Sequence, residues 1–253
     1  MPVLAAIGAL TRKRATLPSV PPGQRIWAIG DIHGRADLLE QLLERIEHEE
    51  ERLSPSRVSI IFLGDLVDRG PDSKGVLDRI VALRAASPDV RVLRGNHDDV
   101  FLRAIKGDVR SMRHLVRMGG RETVLSYGIS EAEYTSVDFA SLVDHVQELV
   151  PQSHVELLES MEAMIVTGDY VFVHAGVRPD VPLDEQSEAD LYWIRNEFLN
   201  CRKPFEKFVI HGHSITDEEE IRPNRIGVDT GAFASGKLTA IGLEGQDRFF
   251  LST

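Results

Sequence analysis

Val58-Ser-Ile-Ile-Phe-Leu-Gly-Asp-Leu-Val-Asp-Arg-Gly70 is the stretch that decides how the chain reads. It opens as an apolar run of the length of a buried strand. The run stops at Gly64, and a carboxylate, Asp65, stands directly after it. Helical spacing follows in Val76, Leu77, Ile80, Val81 and Leu83. The pattern repeats on either side. Upstream, Arg25-Ile-Trp-Ala-Ile-Gly30 ends at Asp31, and Leu38, Leu39, Leu42, Leu43 and Ile46 recur at helical spacing. Downstream, Val90-Arg-Val-Leu-Arg-Gly95 ends at Asn96. Strand, helix, strand, helix, strand at this spacing predicts a parallel α/β arrangement.

Residues 98–165 read as mostly helical, a cap or insertion beside the sheet. Tyr170-Val-Phe-Val-His174 and Lys207-Phe-Val-Ile-His211 are two further buried-strand runs. From Arg225 onward, Ile226–Val228, Leu238–Leu243 and Arg248–Leu251 read as strands joined by tight glycine turns. At the other end, Pro18, Pro21, Pro22 and Gly23 make a linker-like entry, so residues 1–23 are expected to be a flexible arm. The folded body is expected to span residues 24–253.

The chain has 253 residues, 42% of them hydrophobic, enough for one large domain with a sizeable core. Cys201 is the one cysteine, which excludes an intrachain disulfide framework and a cysteine-based zinc site. It fits a reducing, cytoplasmic setting. A net charge of −11 disfavours duplex nucleic acid as the partner, because affinity there comes from Lys and Arg against phosphates. No apolar run reaches the roughly 18 residues of a membrane helix. Near the start, Arg12-Lys-Arg14 follows the apolar stretch Pro2–Leu10, the reverse of a secretory signal. Oligomeric state has no signature.

Five strand runs therefore end in polar residues able to bind metal: Asp31, Asp65, Asn96, His174 and His211. Ligands of α/β sheets bind beyond the carboxyl ends of the strands. Alone, a strand-terminal Asp is as often a helix cap, and a lone His is more often a core residue. Together the five point to one crevice. Oxygen and imidazole donors without thiolate suit Mn, Fe, Zn or Ni.

In order, the motifs are Gly30-Asp-Ile-His-Gly34, Gly64-Asp-Leu-Val-Asp-Arg-Gly70, Gly95-Asn-His-Asp98, His174-Ala-Gly176 and His211-Gly-His213. This set resembles the calcineurin-like metallophosphoesterases, and within them the phosphoprotein phosphatase superfamily, on the side of the bacterial and phage lambda-type serine/threonine phosphatases. The resemblance runs from about Arg25 to the C-terminus. It implies an α/β/β/α sandwich with a helical cap, and two divalent metals, most often Mn. Asp31 and His33 are implied as ligands of the first metal, Asp65 as the bridge, and Asn96, His174 and His211 as ligands of the second. His97 is implied as the general acid and Asp68 as the carboxylate orienting it. Arg69 and Arg195, the latter in Leu191-Tyr-Trp-Ile-Arg195, are implied phosphate contacts together with Asn96. Hydrolysis would then proceed by direct attack of a metal-bridging water on a phosphorylated protein or a small phosphoester. The phosphotyrosine and aryl esters are included, because lambda-type enzymes tolerate many substrates.

Other residues read as structural. Asp98 is expected to cap the following helix, and His213 to hydrogen-bond the backbone or support the site. Gly227-Val-Asp-Thr-Gly231 reads first as a strand-to-turn connection, with support of the His211 loop as the other reading. Gly119-Gly-Arg-Glu-Thr123 resembles a segment of bacterial members without an assigned contact. His48, His114, His145 and His154 sit in polar helical contexts, apart from the site. Asp217–Glu220 reads as a solvated loop. Two other functions remain open. One is a symmetrical diadenosine tetraphosphate hydrolase or related pyrophosphohydrolase, whose second motif has Ala where this chain has Asp68. The other, from a different class, is a non-catalytic metal-binding scaffold.

Overall fold

A computed structural model of the protein describes residues 17–253. The described residues form two five-stranded sheets packed face to face. In the first, β1 (Gln24–Ile29), β2 (Arg57–Phe62) and β3 (Val90–Val92) run parallel. In the second, β4 (Met164–Thr167), β5 (Tyr170–Val173), β6 (Phe208–His211), β7 (Glu220–Ile221) and β8 (Arg225–Gly227) lie in the order β4-β5-β6-β8-β7, with β5, β6 and β8 parallel. The chain then returns to the first sheet as β9 (Thr239–Glu244), antiparallel beside β1, and β10 (Asp247–Ser252), antiparallel to β9 at the sheet edge.

Eleven α-helical segments lie among the described residues. The first two are α1 (Ala36–Glu50) and α2 (Ser73–Ala86). Six follow between β3 and β4: α3 (Asn96–Ile105), α4 (Val109–Arg117), α5 (Arg121–Ser126), α6 (Glu131–Ser136), α7 (Phe139–Leu149) and α8 (Gln152–Glu159). The last three are short: α9 (Glu188–Trp193), α10 (Asn196–Leu199) and α11 (Ala232–Ser235).

Three apolar layers follow from the two-residue alternation of the strands. Ile26 and Ala28 of β1, Phe172 of β5 and Ile210 of β6 fill the space between the sheets. Trp27 and Ile29 face the other way, against Leu38, Leu39, Leu42, Leu43 and Ile46 of α1. Each such buried leucine contributes about 1.5–3 kcal/mol. Val171, Val173 and Val209 form the outer face of the second sheet under α9 and α10, with Leu191 and Phe198. The result is an α/β/β/α sandwich. The six helices after β3 are not a detached cap. Phe101, Leu115, Val124 and Leu142 join the same cluster as α1 and α2, so they extend the outer layer of the first sheet.

The sequence missed β4 and β7. Both are short, and Ile221 at 58% and Val166 at 47% exposure break the apolar signal of a buried strand. Of the expected arm, residues 1–16 lie outside the described residues. Residues 17–23 are anchored rather than loose: Ser19 N–H donates to Asp169 Oδ2 at 3.0 Å, Val20 N–H to the Gly245 carbonyl at 3.0 Å, and Val20 is buried between the sheets. Glu220 corrects the solvated-loop expectation. It pairs with the buried Arg225 and opens β7.

Candidate active site

Register brings the motifs to one end. Ile29 pairs with Phe62 and Phe62 with Val92, so the loops carrying Asp31, Asp65 and Asn96 leave the first sheet side by side. Val173 pairs with His211, which delivers the loops of the second sheet together. The two sets meet across the sandwich. His174 Nδ1 donates to the Leu63 carbonyl at 2.9 Å, and His213 N–H donates to both oxygens of Asp31 at 3.0 and 3.1 Å.

Asp65 is the hub. Its Oδ2 faces His33 Nε2 at 3.5 Å and His97 Nε2 at 3.9 Å, and its Oδ1 faces His174 Nε2 at 3.4 Å. Two ligand groups share it. His33, Asp65 and His97 form one, and Asp65, His174 and His213 the other, each with donor atoms within 4.8 Å. Asn96 Oδ1 lies 3.0 Å from His174 Nε2, and His213 Nδ1 lies 3.2 Å from that same nitrogen. All of these side chains are buried. Asp31 adds a buried carboxylate to the same crevice.

His33 Nδ1 donates to the Val67 carbonyl at 2.8 Å, as His174 does to Leu63. These carbonyls fix the tautomer and turn each Nε2 toward Asp65, the outer support typical of metal-bound histidine. Burial lowers His33 to about 3, and burial together with His174 lowers His213 to about 2, so both rings offer lone pairs. Burial opposes ionisation of Asp65, but His174, His97 and His33 outweigh it and hold the carboxyl well below its usual range. Burial likewise opposes charge on His174, yet Asp65 and Asp31 raise it to about 10. Burial, Asp229 and Asp65 push Asp31 well up, and burial with Asp65 raises Asp98 to about 6. Crowded buried acids and converging lone pairs call for positive charge at this point. Hard-to-borderline divalent cations fit the donor set.

The backbone is bent to make the site. Among the described residues, five of the six non-glycine residues with positive φ are His33, Asp65, Asp68, Arg69 and His213; the sixth is Asp180. Strain of this kind, about 1–3 kcal/mol per residue, persists where surrounding structure enforces it. Asp98 is part of that enforcement. Besides accepting from Gly95 N–H at 3.0 Å in a capping arrangement, it accepts from Asp65 N–H at 2.8 Å and Leu66 N–H at 3.0 Å. Gly95 and Gly212 permit the close approach: an added Cβ would collide with Asp65 Oδ1 or Asp31 Oδ1 respectively.

His97 Nδ1 meets Asp68 Oδ2 at 2.7 Å, both buried. Arg69 places Nη1 2.9 Å from His33 Nε2 and Nη2 2.9 Å from His97 Nε2, with its guanidinium over the Phe233 ring at 4.8 Å. Arg195 is exposed and contacts the His213 carbonyl at 3.3 Å.

The structure places His211, an expected ligand, outside the cluster. Along β6, Ile210 faces the inter-sheet core while Val209 faces outward, and His211 follows Val209. Its Nδ1 lies 2.9 Å from the Gly212 carbonyl, its Nε2 lies 3.3 Å from Arg225, and its ring packs edge-on against Phe198. Both nitrogens face partners outside the cluster, and His213 is the histidine of this loop that lies within the second ligand group. A sequence signal for this existed: Asp31, Asp65 and Asn96 each directly follow a glycine, and so does His213. Asp229 was missed as a site neighbour. Its buried carboxylate accepts from Gly231 N–H at 2.9 Å and acts electrostatically on Asp31. His154 is fully buried rather than in a polar setting, between Tyr127 Oη at 2.8 Å and Asp78 Oδ1 at 2.9 Å.

Residues 24–234, which hold every residue of this cluster, match the model of the calcineurin-like phosphoesterase family. The chain belongs to that family. It is thus a member of a hydrolase family that works on phosphoesters with divalent metals. Among curated relatives it is 25% identical over 230 residues to the asymmetrical bis(5'-nucleosyl)-tetraphosphatase PrpE of Anoxybacillus flavithermus, covering 84% of this chain and 88% of that one. The corresponding protein of Bacillus thuringiensis is 22% identical over 232 residues, with the same coverages. Of solved structures, one assigned provisionally as a diadenosine tetraphosphatase superposes with a TM-score of 0.63 at 23% identity, covering 94% of this chain and 98% of that one. A Saccharomyces cerevisiae serine/threonine phosphatase with similarity to human PP5 superposes at 0.57 and 15% identity, covering 91% and 80%. These two structures establish likeness of fold. In this calcineurin-like phosphoesterase no described helix is long and apolar enough to cross a membrane.

Proposed function

We propose that the chain is a dinuclear metal-dependent phosphomonoesterase that removes phosphate from phosphoserine and phosphothreonine proteins, and from aryl phosphates including phosphotyrosine. The observation that carries this reading is the His97–Asp68 pair, 2.7 Å apart beside the ligand cluster. A seryl alkoxide leaves far more reluctantly than a nucleotide phosphate, so a placed proton donor is worth most on such an ester, typically about 10²–10⁴-fold.

In this reading Asp31 and His33 would hold one metal and Asn96, His174 and His213 the second, with Asp65 serving both. When bound, two divalent ions would supply Lewis acidity toward the phosphoryl oxygens and a water nucleophile; Mn, Fe, Zn and Ni all suit these donors. Asp68 orients His97 and stabilises its imidazolium, and His97 Nε2 gives its proton to the departing oxygen. Arg69 swings from His33 and His97 onto the phosphate, where its planar fork matches two oxygens. Arg195, steadied by the His213 carbonyl, closes on the phosphate from the second sheet.

A second reading, hydrolysis of dinucleoside tetraphosphates, is favoured by the names of the PrpE relatives. A cavity of about 480 Å³ also lies between α4 and α9, lined in part by Trp193, His114 and Arg110, with room for a nucleoside. The two readings separate on kcat/KM of Mn²⁺-loaded protein for a phosphoserine peptide and for diadenosine tetraphosphate. Preference for the peptide supports the first. Preference for the dinucleotide replaces it with the second. Activity on neither revives the metal-binding scaffold.

A further inference from the structure

The segment Gly119-Gly-Arg-Glu-Thr123 touches the proposed acid machinery, not the place where substrate would sit. Thr123 is fully buried at the start of α5. Its Oγ1 donates to Asp68 Oδ1 at 2.7 Å and accepts from Asp68 N–H at 2.8 Å. Ser73 Oγ lies 2.9 Å from it. A hydroxyl has one proton to give. Thr123 gives it to Asp68, so Ser73 donates to Thr123, and Ser73 in turn accepts from Asp68 N–H at 3.0 Å. The one proton and both lone pairs of Thr123 Oγ1 are thereby used.

The consequence is directional. Asp68 has left-handed backbone, with φ of 74°, and its side chain could rotate about the last bond. Oδ1 pinned by Thr123 leaves Oδ2 aimed at His97 Nδ1. The same loop supports the next residue, because Arg69 N–H donates to the Gly119 carbonyl at 2.9 Å. The segment is itself braced. Tyr127, which ends α5, bonds His154 of α8, and His154 bonds Asp78 of α2.

We infer that Thr123, backed by Ser73, is a positioning residue of the calcineurin-like site: it fixes the Asp68 carboxylate so that His97 is held as proton donor to the leaving group. This rests on the acid role given to His97 above. The test compares Thr123→Val, which keeps the shape and deletes the hydroxyl, with Thr123→Ser, Ser73→Ala and His97→Asn. Each is assayed on a phosphoserine peptide and on p-nitrophenyl phosphate, whose phenolate leaves without help. Thr123→Val is expected to lower kcat on the peptide by about 10–100-fold, the usual toll of losing an orienting partner, with KM little changed and the aryl ester nearly unaffected. Thr123→Ser restores the peptide rate, and Ser73→Ala shows the same split more weakly. Equal losses on both substrates, no loss, or no rescue by serine overturns the positioning role. If Thr123→Val does not fold, the Ser73→Ala and Thr123→Ser pair decides by the same split. A His97→Asn enzyme with no preference between the substrates overturns the acid reading and this inference with it. A steep His97→Asn profile beside a flat Thr123→Val profile overturns the Thr123 role alone.

Discussion

Exchanging the fates of two histidines two residues apart tests the site most directly. His213→Ala removes an imidazole whose Nδ1 lies 3.2 Å from His174 Nε2, inside the second ligand group. His211→Ala removes one whose nitrogens face the Gly212 carbonyl and Arg225. Four-ligand structural zinc sites gather about 10–16 kcal/mol of binding free energy, so one ligand is worth about 3 kcal/mol. At about 1.4 kcal/mol per decade, His213→Ala should weaken one of the two metal affinities by about 10²-fold. His211→Ala should leave both affinities within about threefold, since it touches no donor atom. It should instead lower stability by about 1–3 kcal/mol, because Arg225 loses a buried partner. Calorimetric Mn²⁺ titration of EDTA-stripped protein measures the first quantity and urea unfolding the second. A large affinity loss in His211→Ala with near-normal binding in His213→Ala would refute the parity argument along β6.

Three other predictions follow from the same geometry. Asp65→Asn should impair both metals together, as Asp65 faces both ligand groups; metal content after dialysis showing selective loss of one contradicts the bridge. Mn²⁺ at 100 times its dissociation constant should stabilise the protein by about 2.7 kcal/mol and raise Tm by roughly 5–10 °C for a chain of this size. A melting curve identical in EDTA and Mn²⁺ counts against the centre. Burial lowers His154 below its ordinary value despite Asp78. Below about pH 6.5 the unfolded chain therefore binds more protons than the folded one, so this contribution to stability is lost as pH falls. The urea midpoint should drop between pH 7 and 5, and His154→Asn should flatten that drop; an unchanged slope in the variant sinks the assignment.

The sequence by itself determined the strand-to-ligand grammar. Gly30-Asp31, Gly64-Asp65 and Gly95-Asn96 were legible because a buried apolar run, a glycine and a hard ligand are all local signals. The parallel β1, β2 and β3 and the helices α1 and α2 followed from periodicity alone. A second sheet was not legible, since short runs do not state which partner they pair with. Only tertiary structure separates His211 from His213, leaving the first outside the ligand cluster and the second within it. Both follow an apolar run, and the choice depends on which face of β6 looks into the crevice, which is set by packing against β5, β8 and Phe198. Thr123 needed tertiary structure too. It lies 55 residues from Asp68, and no local pattern tells a buried hydroxyl which carboxylate it will hold. Spacing fixes which residues leave a strand end together; the side chain's final partner is fixed by the surface that folds over it.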